Sequence, residues 1–218
     1  MHCNVIWVTP VWLQYNLHMS TIYKEINAFW FGPLTPGKTA DSAYTSRWFK
    51  KDPDFDNTIR SRFGDRVEQA AQGEFKHWES LPEGRLALVV LLDQFPRNLY
   101  RNSPKAWQYD PLALQHTLNA IQTQQDVVLH AVERSILYMP LMHSEDMDIQ
   151  EQSLQQFSQL VKDTEGALSE ALSYNLKYAR QHADIIQRFG RYPHRNELLG
   201  RTSTEAEKRF LEQPGSSF

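Results

Sequence analysis

Two parts of this sequence concentrate histidine, arginine and acidic side chains at predicted turns between helices. The first is the stretch 143–146 and the second is 182–201. Their candidate functional residues are His143, Glu145, His182, Arg188, His194, Arg195 and Asn196. A histidine next to a carboxylate supplies an acid or a base near neutral pH. We therefore predict that His143, Glu145 and His194 transfer protons.

Arginine side chains in the same regions suggest a site for an anion. Arg97 ends the run Asp93–Arg97 and joins Arg188 and Arg195 as a predicted ligand for a carboxylate or phosphate group. The purely structural alternative is also open, because Arg97 can pair with Asp93 or cap helix carbonyls. For the histidines the corresponding alternative is hydrogen bonding to backbone groups at turns.

The three histidines at 143, 182 and 194 also belong to types that bind metals. Together with a carboxylate at 145 or 146 they would suit zinc, iron or manganese. No pair has the HExxH-type spacing that fixes two ligands on one helical face. We predict no metal site, and the sequence identifies no cofactor.

The stretch 32–39 matches the phosphate-binding pattern G-x-x-x-x-G-K-[ST], and 86–93 has the composition of the accompanying apolar strand that ends in Asp. A phosphate loop follows a strand and offers backbone N–H groups. This stretch follows a predicted helix and contains two prolines, Pro33 and Pro36, which lack that donor. We interpret the match as accidental.

Helical periodicity dominates the elements that must position these residues. Phe55, Ile59, Phe63 and Val67 recur every four residues, and no stretch alternates with period two. The first predicted helices cover about 22–30, about 44–49, Asp54 to near Gly73, and Pro82 to near Pro96. The next covers Asp110 to Ile121, and another ends near Met139–Pro140. A further helix begins at an N-cap at Ser144, one covers about 165–189, and the last follows a capping box in 202–205. The sequence predicts an all-α fold.

Composition bounds the class of protein. The 218 residues suit one domain, which we assign to 19–218, with 1–18 as an N-terminal extension. A net charge of −3 and four tryptophans near apolar stripes argue against nucleic acid as a partner. The longest apolar run, 86–92, has seven residues, so we expect no membrane span. The single cysteine, Cys3, favours a reducing, cytoplasmic setting.

Several long motifs resemble one known family. They are 30–32, 51–53, 59–64, 84–98, 133–134, 138–146, 188–196, 199–201 and 214–218. In the same order over about 20–218 they resemble the domain of unknown function family 924. The resemblance implies an all-helical fold of antiparallel pairs in a tetratricopeptide-like superhelix, and no established activity. Tyr192 departs from it, since Phe is expected there.

The resemblance also implies which residues share a pocket, because polar turn residues carry it. The implied set is Asp93, Arg97, Glu133, His143, Glu145, His182, Arg188, His194, Arg195 and Asn196. We predict a site for a small anionic metabolite, in a hydrolase or a transferase. The alternative is a non-catalytic helical-repeat module that binds a peptide or protein. The oligomeric state stays open.

Overall fold

All regular secondary structure in the described residues is helical. The computed structural model describes residues 22–216, which leaves the predicted extension 1–18 outside. The α-helices are α1 (22–31), α2 (Ser42–Trp48), α3 (Pro53–Ala71), α4 (Pro82–Val89), α5 (Phe95–Leu99), α6 (Asp110–Gln122), α7 (Ala131–Leu137), α8 (Met139–His143), α9 (Met147–Lys162), α10 (Gly166–Phe189) and α11 (Glu205–Leu211). Short 3-10 helices cover Lys76–Ser80, Pro104–Trp107, Asp126–Val128 and Pro193–Arg195. The all-α prediction is confirmed for this part of the chain.

The end of α1 and the starts of α2 and α3 lie at residues of types that commonly end or cap helices. Gly32 ends α1 with a φ of 66°, and a side chain there would collide with the ring of Tyr44. Asp41 caps α2. The cap of α3 is Asp52, whose carboxylate accepts hydrogen bonds from the backbone N–H groups of Asp54 and Phe55. α3 therefore begins at Pro53, one residue before the predicted start at Asp54.

The phosphate-loop pattern lacks the architecture that it requires. Residues 32–39 follow α1 rather than a strand, and Asp41 separates them from α2. Residues 86–93 are helical instead of extended. The absence of a strand–loop–helix order agrees with our interpretation of the pattern as accidental.

A widened turn links α4 to α5. Val90–Gln94 forms one π-helical turn, in which the Phe95 N–H donates to the Val90 carbonyl five residues earlier. We expected the helix to stop near Pro96, but Pro96 sits in the first turn of α5 and the chain stays helical to Leu99. Pro96 has no N–H to donate to the preceding turn, and the widened turn directly before it interrupts the regular ladder of helix hydrogen bonds at that point. Asp93, fully buried, lies in the widened turn.

The segment around His143 also differs from the expectation. α7 ends at Leu137, and a second short helix, α8, runs from Met139 to His143 with Pro140 in its first turn. The N-cap of α9 is Asp146, whose carboxylate accepts from the N–H groups of Asp148 and Ile149. The predicted cap Ser144 instead accepts from the Asp146 N–H. Glu145 is consequently outside the helix.

The last helices enclose a second apolar cluster. Gly190 ends α10 with a φ of 69°, as its position predicts. The chain then turns back so that Tyr192 and Phe210 pack on Ile185 and Ile186. A capping box starts α11, formed by Thr204 and Glu207 rather than by residues 202–205. The rest of the core is one larger cluster built from α1 to α10.

No helix among residues 22–216 is long and apolar enough to cross a membrane. The buried run 86–92 belongs to the main core, where α4 and the widened turn contact α6.

Gly84→Ala should destabilise the protein. A Cβ at Gly84 would lie 2.5 Å from the carbonyl oxygen of buried Trp78 and 2.9 Å from its Cβ. We expect the free energy of unfolding to fall by about 1–3 kcal/mol through overpacking. Gly64→Ala is the matched control, since its nearest neighbour would be Arg60 Cγ at 4.0 Å. Gly64→Ala should raise the free energy of unfolding by about 0.5–1 kcal/mol, because alanine favours a helix more than glycine does. Urea unfolding of both variants checks the contrast, and equal effects would contradict it.

Candidate functional site

A buried carboxylate and a histidine form the centre of the candidate site. Asp93 comes from the widened turn after α4, and His143 is the last residue of α8. The His143 Nδ1 lies 2.7 Å from the Asp93 Oδ1. The Asp93 side chain is fully buried, whereas that of His143 is 13% exposed. The pair, here the Asp93–His143 dyad, therefore has an aspartate inside and a histidine at the solvent edge.

The surroundings fix the protonation states of the dyad. Burial alone would raise the pKa of the Asp93 carboxyl, but the Arg97 charge and the His143 contact lower it to about 2. Burial and the neighbouring Arg97 lower the pKa of His143, against the opposing effect of Asp93. At neutral pH the imidazole is uncharged. Its Nδ1–H donates to the carboxylate, which leaves the lone pair on Nε2.

Two arginines and a second aspartate extend the site. Arg97 donates from both Nη atoms to the Asp110 carboxylate, at 2.9 and 3.0 Å, and from Nη1 to the Asp93 carbonyl at 2.7 Å. Arg195 Nη1 approaches the same Asp110 carboxylate at 3.6 Å. Burial lowers the pKa of Arg97, but Asp110 and Asp93 outweigh it and raise that pKa above its ordinary value. We call this arrangement the Arg97–Asp110–Arg195 chain.

Arg195 is held between aromatic rings. Its guanidinium carbon lies 4.6 Å from the centroid of the Tyr192 ring and 5.2 Å from that of Trp107. Burial lowers the pKa of Arg195, with Asp110 opposing the shift. The ring of His194 packs against the same two aromatics, and burial together with Arg195 lowers its pKa to about 4. His194 is therefore neutral at pH 7.

His182 reaches the dyad from α10. Its ring centroid lies 6.2 Å from that of His143 and 5.5 Å from that of Tyr192. Nδ1 donates to the Tyr178 carbonyl at 2.8 Å, one turn earlier in the helix. Burial and the adjacent His143 lower the pKa of His182 to about 3. A second neutral imidazole thus lies beside the first.

Tyr192 attaches the loop after α10 to the turn after α8. Its hydroxyl donates to the Met142 carbonyl and accepts from Gln150 Nε2 at 2.8 Å. Its backbone N–H donates to Glu145 Oε1 at 2.8 Å. Both oxygens of Glu145 also accept from Arg201, at 2.6 and 3.0 Å. Burial raises the pKa of Glu145, and Arg201 more than reverses this shift.

Comparison with known proteins agrees with the motifs. The family described as bacterial protein of unknown function (DUF924) matches residues 26–215. This chain belongs to the DUF924 family. A solved structure of a protein of unknown function from Agrobacterium tumefaciens is 34% identical to it, with a TM-score of 0.76, and the match covers 89% of this chain and 98% of that one. No curated protein matches it.

Three predicted site residues of this DUF924 protein make other contacts. Glu133 accepts a hydrogen bond from the His130 N–H in the capping box of α7 and lines a separate cleft. Arg188 stacks on Phe189 and Phe210, with its guanidinium carbon 4.8 and 5.5 Å from the ring centroids. Asn196, 1% exposed, donates to Ser203 Oγ at 3.0 Å. Asp93, Arg97, His143, His182, His194 and Arg195 come together.

Two residues of the candidate site, Asp110 and Trp107, are not among the predicted site residues. Asp110 starts α6, as predicted, and is also the partner of both arginines. Trp107, one of the four tryptophans near apolar stripes, is only half-buried and covers Arg195. An acidic residue at the start of a helix is also favoured by the helix dipole, so the position of Asp110 in the sequence does not indicate that it pairs with two arginines.

The described residues contain no group of three or more His, Cys, Asp or Glu side chains arranged to hold a metal ion. The histidines of the site instead contact one carboxylate, one backbone carbonyl and aromatic rings.

Stability should fall between about pH 7 and pH 5. His182 has a pKa of about 3 in the folded chain, so below its ordinary value of 6.5 the unfolded chain binds a proton that the folded chain does not. The stability that the neutral His182 contributes is therefore fully present above about pH 6.5 and is lost progressively as the pH falls below 6.5. We expect the titration of His182 alone to lower the free energy of unfolding by about 2 kcal/mol at pH 5.

Thermal melts across this range check the expectation. His182→Asn keeps a donor for the Tyr178 carbonyl without a titrating ring, so its melting temperature should fall less between the two pH values than that of the wild type. The comparison uses the pH-dependent change, because the substitution also alters packing. A melting temperature of the wild type that is the same at both pH values would contradict the assignment.

Proposed function

We propose that this protein is an acid–base enzyme, a hydrolase or transferase acting on a small anionic metabolite, with His143 as the general base. The observation that carries the proposal is the Asp93–His143 dyad. A buried aspartate at 2.7 Å from Nδ1 selects the tautomer that leaves Nε2 as the proton acceptor. In hydrolysis, Nε2 removes a proton from water as the water oxygen attacks the scissile centre, and the leaving oxygen takes up a proton from solvent.

The low pKa values in the site favour a neutral base at physiological pH. The pKa of His143 is lowered by burial and by Arg97, and that of His182 is lowered to about 3. A base that stays unprotonated is ready to accept a proton at pH 7, although a lower pKa also makes it a weaker base. Clusters of perturbed groups of this kind are commoner at functional sites than elsewhere.

Arg195 is the donor that we propose for the anion. Its contact with Asp110, at 3.6 Å, is longer than either contact of Arg97 with the same carboxylate. Its Nε has no hydrogen-bond acceptor among the described residues. The two guanidinium groups of the site are balanced by the carboxylates of Asp93 and Asp110, so no positive charge is left over for an added anion. We therefore propose that the substrate anion takes the place of Asp110 beside Arg195. Arg97 would keep the bidentate pair.

Two residues predicted to transfer protons receive different proposed roles. Both oxygens of Glu145 are hydrogen-bonded to Arg201 and Tyr192. We propose that Glu145 positions the loop that carries His194 and Arg195. His194, packed against Trp107 and Tyr192, would contact the bound substrate.

The finer architecture and setting also stay proposals. Only residues 163–165 connect α9 and α10, and a connection of this length favours antiparallel neighbours. This connection supports the proposal of antiparallel pairs in a tetratricopeptide-like superhelix, forming one domain over 19–218. We further propose a cytoplasmic protein whose partner is a small molecule rather than nucleic acid.

Inorganic phosphate should stabilise the wild type and act through Arg195. A ligand that binds the folded chain raises its melting temperature by mass action. Arg195→Ala should abolish most of that rise. Arg188→Ala is the matched control, because Arg188 is exposed and stacks on Phe189 and Phe210. It should leave the phosphate effect intact.

Thermal melts in phosphate, with chloride at equal ionic strength as reference, measure this difference. An equal loss in both variants, or no phosphate effect in the wild type, would count against an anion site at Arg195.

His143→Ala should reduce hydrolysis by about a hundredfold or more, the usual contribution of a general base. The assay uses p-nitrophenyl phosphate and p-nitrophenyl acetate, and added imidazole should restore part of the lost rate by replacing the missing ring. Purification of wild type and variant side by side controls for contaminating hydrolases. Activity that is unchanged in His143→Ala, or undetectable in the wild type with both substrates, would remove the support for a hydrolase.

A further inference from the structure

A cleft of about 460 Å³ lies between α1, α4, α7 and the loop after α1. A volume in this range accommodates a small metabolite. Its lining combines carboxylates, an amide, an amine and apolar side chains. The lining residues that matter here are Lys24, Asn27, Phe31, Leu34, Glu83 and Glu133.

One buried acceptor in the cleft wall has no partner. Asn27 is 9% exposed, and its Nδ2 donates to the Glu83 carbonyl at 2.9 Å. Its Oδ1 is buried and has no hydrogen-bond donor among the described residues. A buried carbonyl oxygen without a donor is costly, so a ligand that supplies an N–H group would stabilise the wall.

The two glutamates add negative charge to the same wall. One oxygen of Glu133 accepts from the His130 N–H at 2.9 Å, which fixes the carboxylate in place. Burial raises the pKa of Glu133, and repulsion from Glu83 adds to the shift. A cation between the two carboxylates would relieve this repulsion.

The opposite charge and an apolar surface are also present. Lys24 lines the cleft and forms no ion pair with another described residue. Phe31 and Leu34 supply apolar surface, and the loop that carries Leu34 is held by a hydrogen bond between His130 Nε2 and the Thr35 carbonyl at 3.0 Å. The stretch that resembles a phosphate loop is thus a wall of this cleft.

We propose that the cleft binds a small zwitterion, an α-amino acid with an apolar side chain. Its ammonium group donates to Glu133, Glu83 and the Asn27 Oδ1, and three donors match the three acceptors. Its carboxylate pairs with Lys24, and its side chain packs on Phe31 and Leu34. An organic ammonium fits better than a metal ion, since no metal-holding group of three ligands occurs in residues 22–216.

Calorimetric titration of the full chain with L-leucine tests the proposal. We expect saturable binding to the wild type, none of Nα-acetyl-L-leucine, which lacks the ammonium, and weaker binding of L-leucinamide, which lacks the carboxylate. Glu133→Gln keeps the acceptor for the His130 N–H but removes the charge, so it should weaken L-leucine binding about tenfold or more. Lys24→Met should weaken binding of L-leucine but not of L-leucinamide.

Glu25→Gln is the matched control. Glu25 neighbours Lys24 in the chain, yet it pairs with Arg62 at 2.7 Å and does not line the cleft. It should bind L-leucine as the wild type does. No binding of L-leucine or L-phenylalanine to the wild type would overturn the proposal, as would equal binding of the acetylated ligand or an equal loss in Glu25→Gln. The anion site at Arg195 is separate, so none of these outcomes tests it.

Discussion

A single buried negative charge, the carboxylate of Asp93, determines much of this structure. An isolated carboxylate removed from water is very costly unless it is paired and hydrogen-bonded. Here Arg97 supplies the charge, and His143 and Gln94 supply hydrogen bonds. Gln94 and Arg97 lie in the same helical segment as Asp93, whereas His143 ends α8. The widened turn and the end of α8 must therefore meet at one point.

The same requirement spreads outward through shared partners. Arg97 satisfies Asp93 and Asp110 together, and Asp110 brings in Arg195. Arg195 belongs to a loop that Glu145 and Arg201 hold through the backbone N–H and carbonyl of Tyr192. The candidate site and the contacts that hold the last quarter of the chain are thus parts of one network. Removing one member exposes the others to the cost of an unpaired buried charge.

The sequence predicted the helices better than it predicted their contacts. Apolar stripes such as Phe55 to Val67 follow from burial of one helical face, which a sequence records directly. Caps were less certain, because Ser144 and Asp146 are both good N-caps and only tertiary pairing of Glu145 decided between them. Charged residues and histidines at turns predict a site by residue type alone, and six of these candidates come together. Glu133 and Arg188 are also charged but lie on other faces, and a single sequence carries no signal for that difference.

The widened turn at Val90–Gln94 allows one continuous helical segment to serve two purposes. An α-helix advances about 100° per residue, so an extra residue in one turn rotates everything after it by about that angle relative to what came before. Upstream, Leu86 and Leu88 keep their side chains in the core; downstream, Arg97 faces Asp110 at the solvent edge. The widened turn therefore changes which face of the segment points into the core, so that residues before it pack there and Arg97 after it reaches the candidate site. In a regular α-helix of the same sequence, Arg97 would point about 100° away from its present direction relative to Leu86 and Leu88.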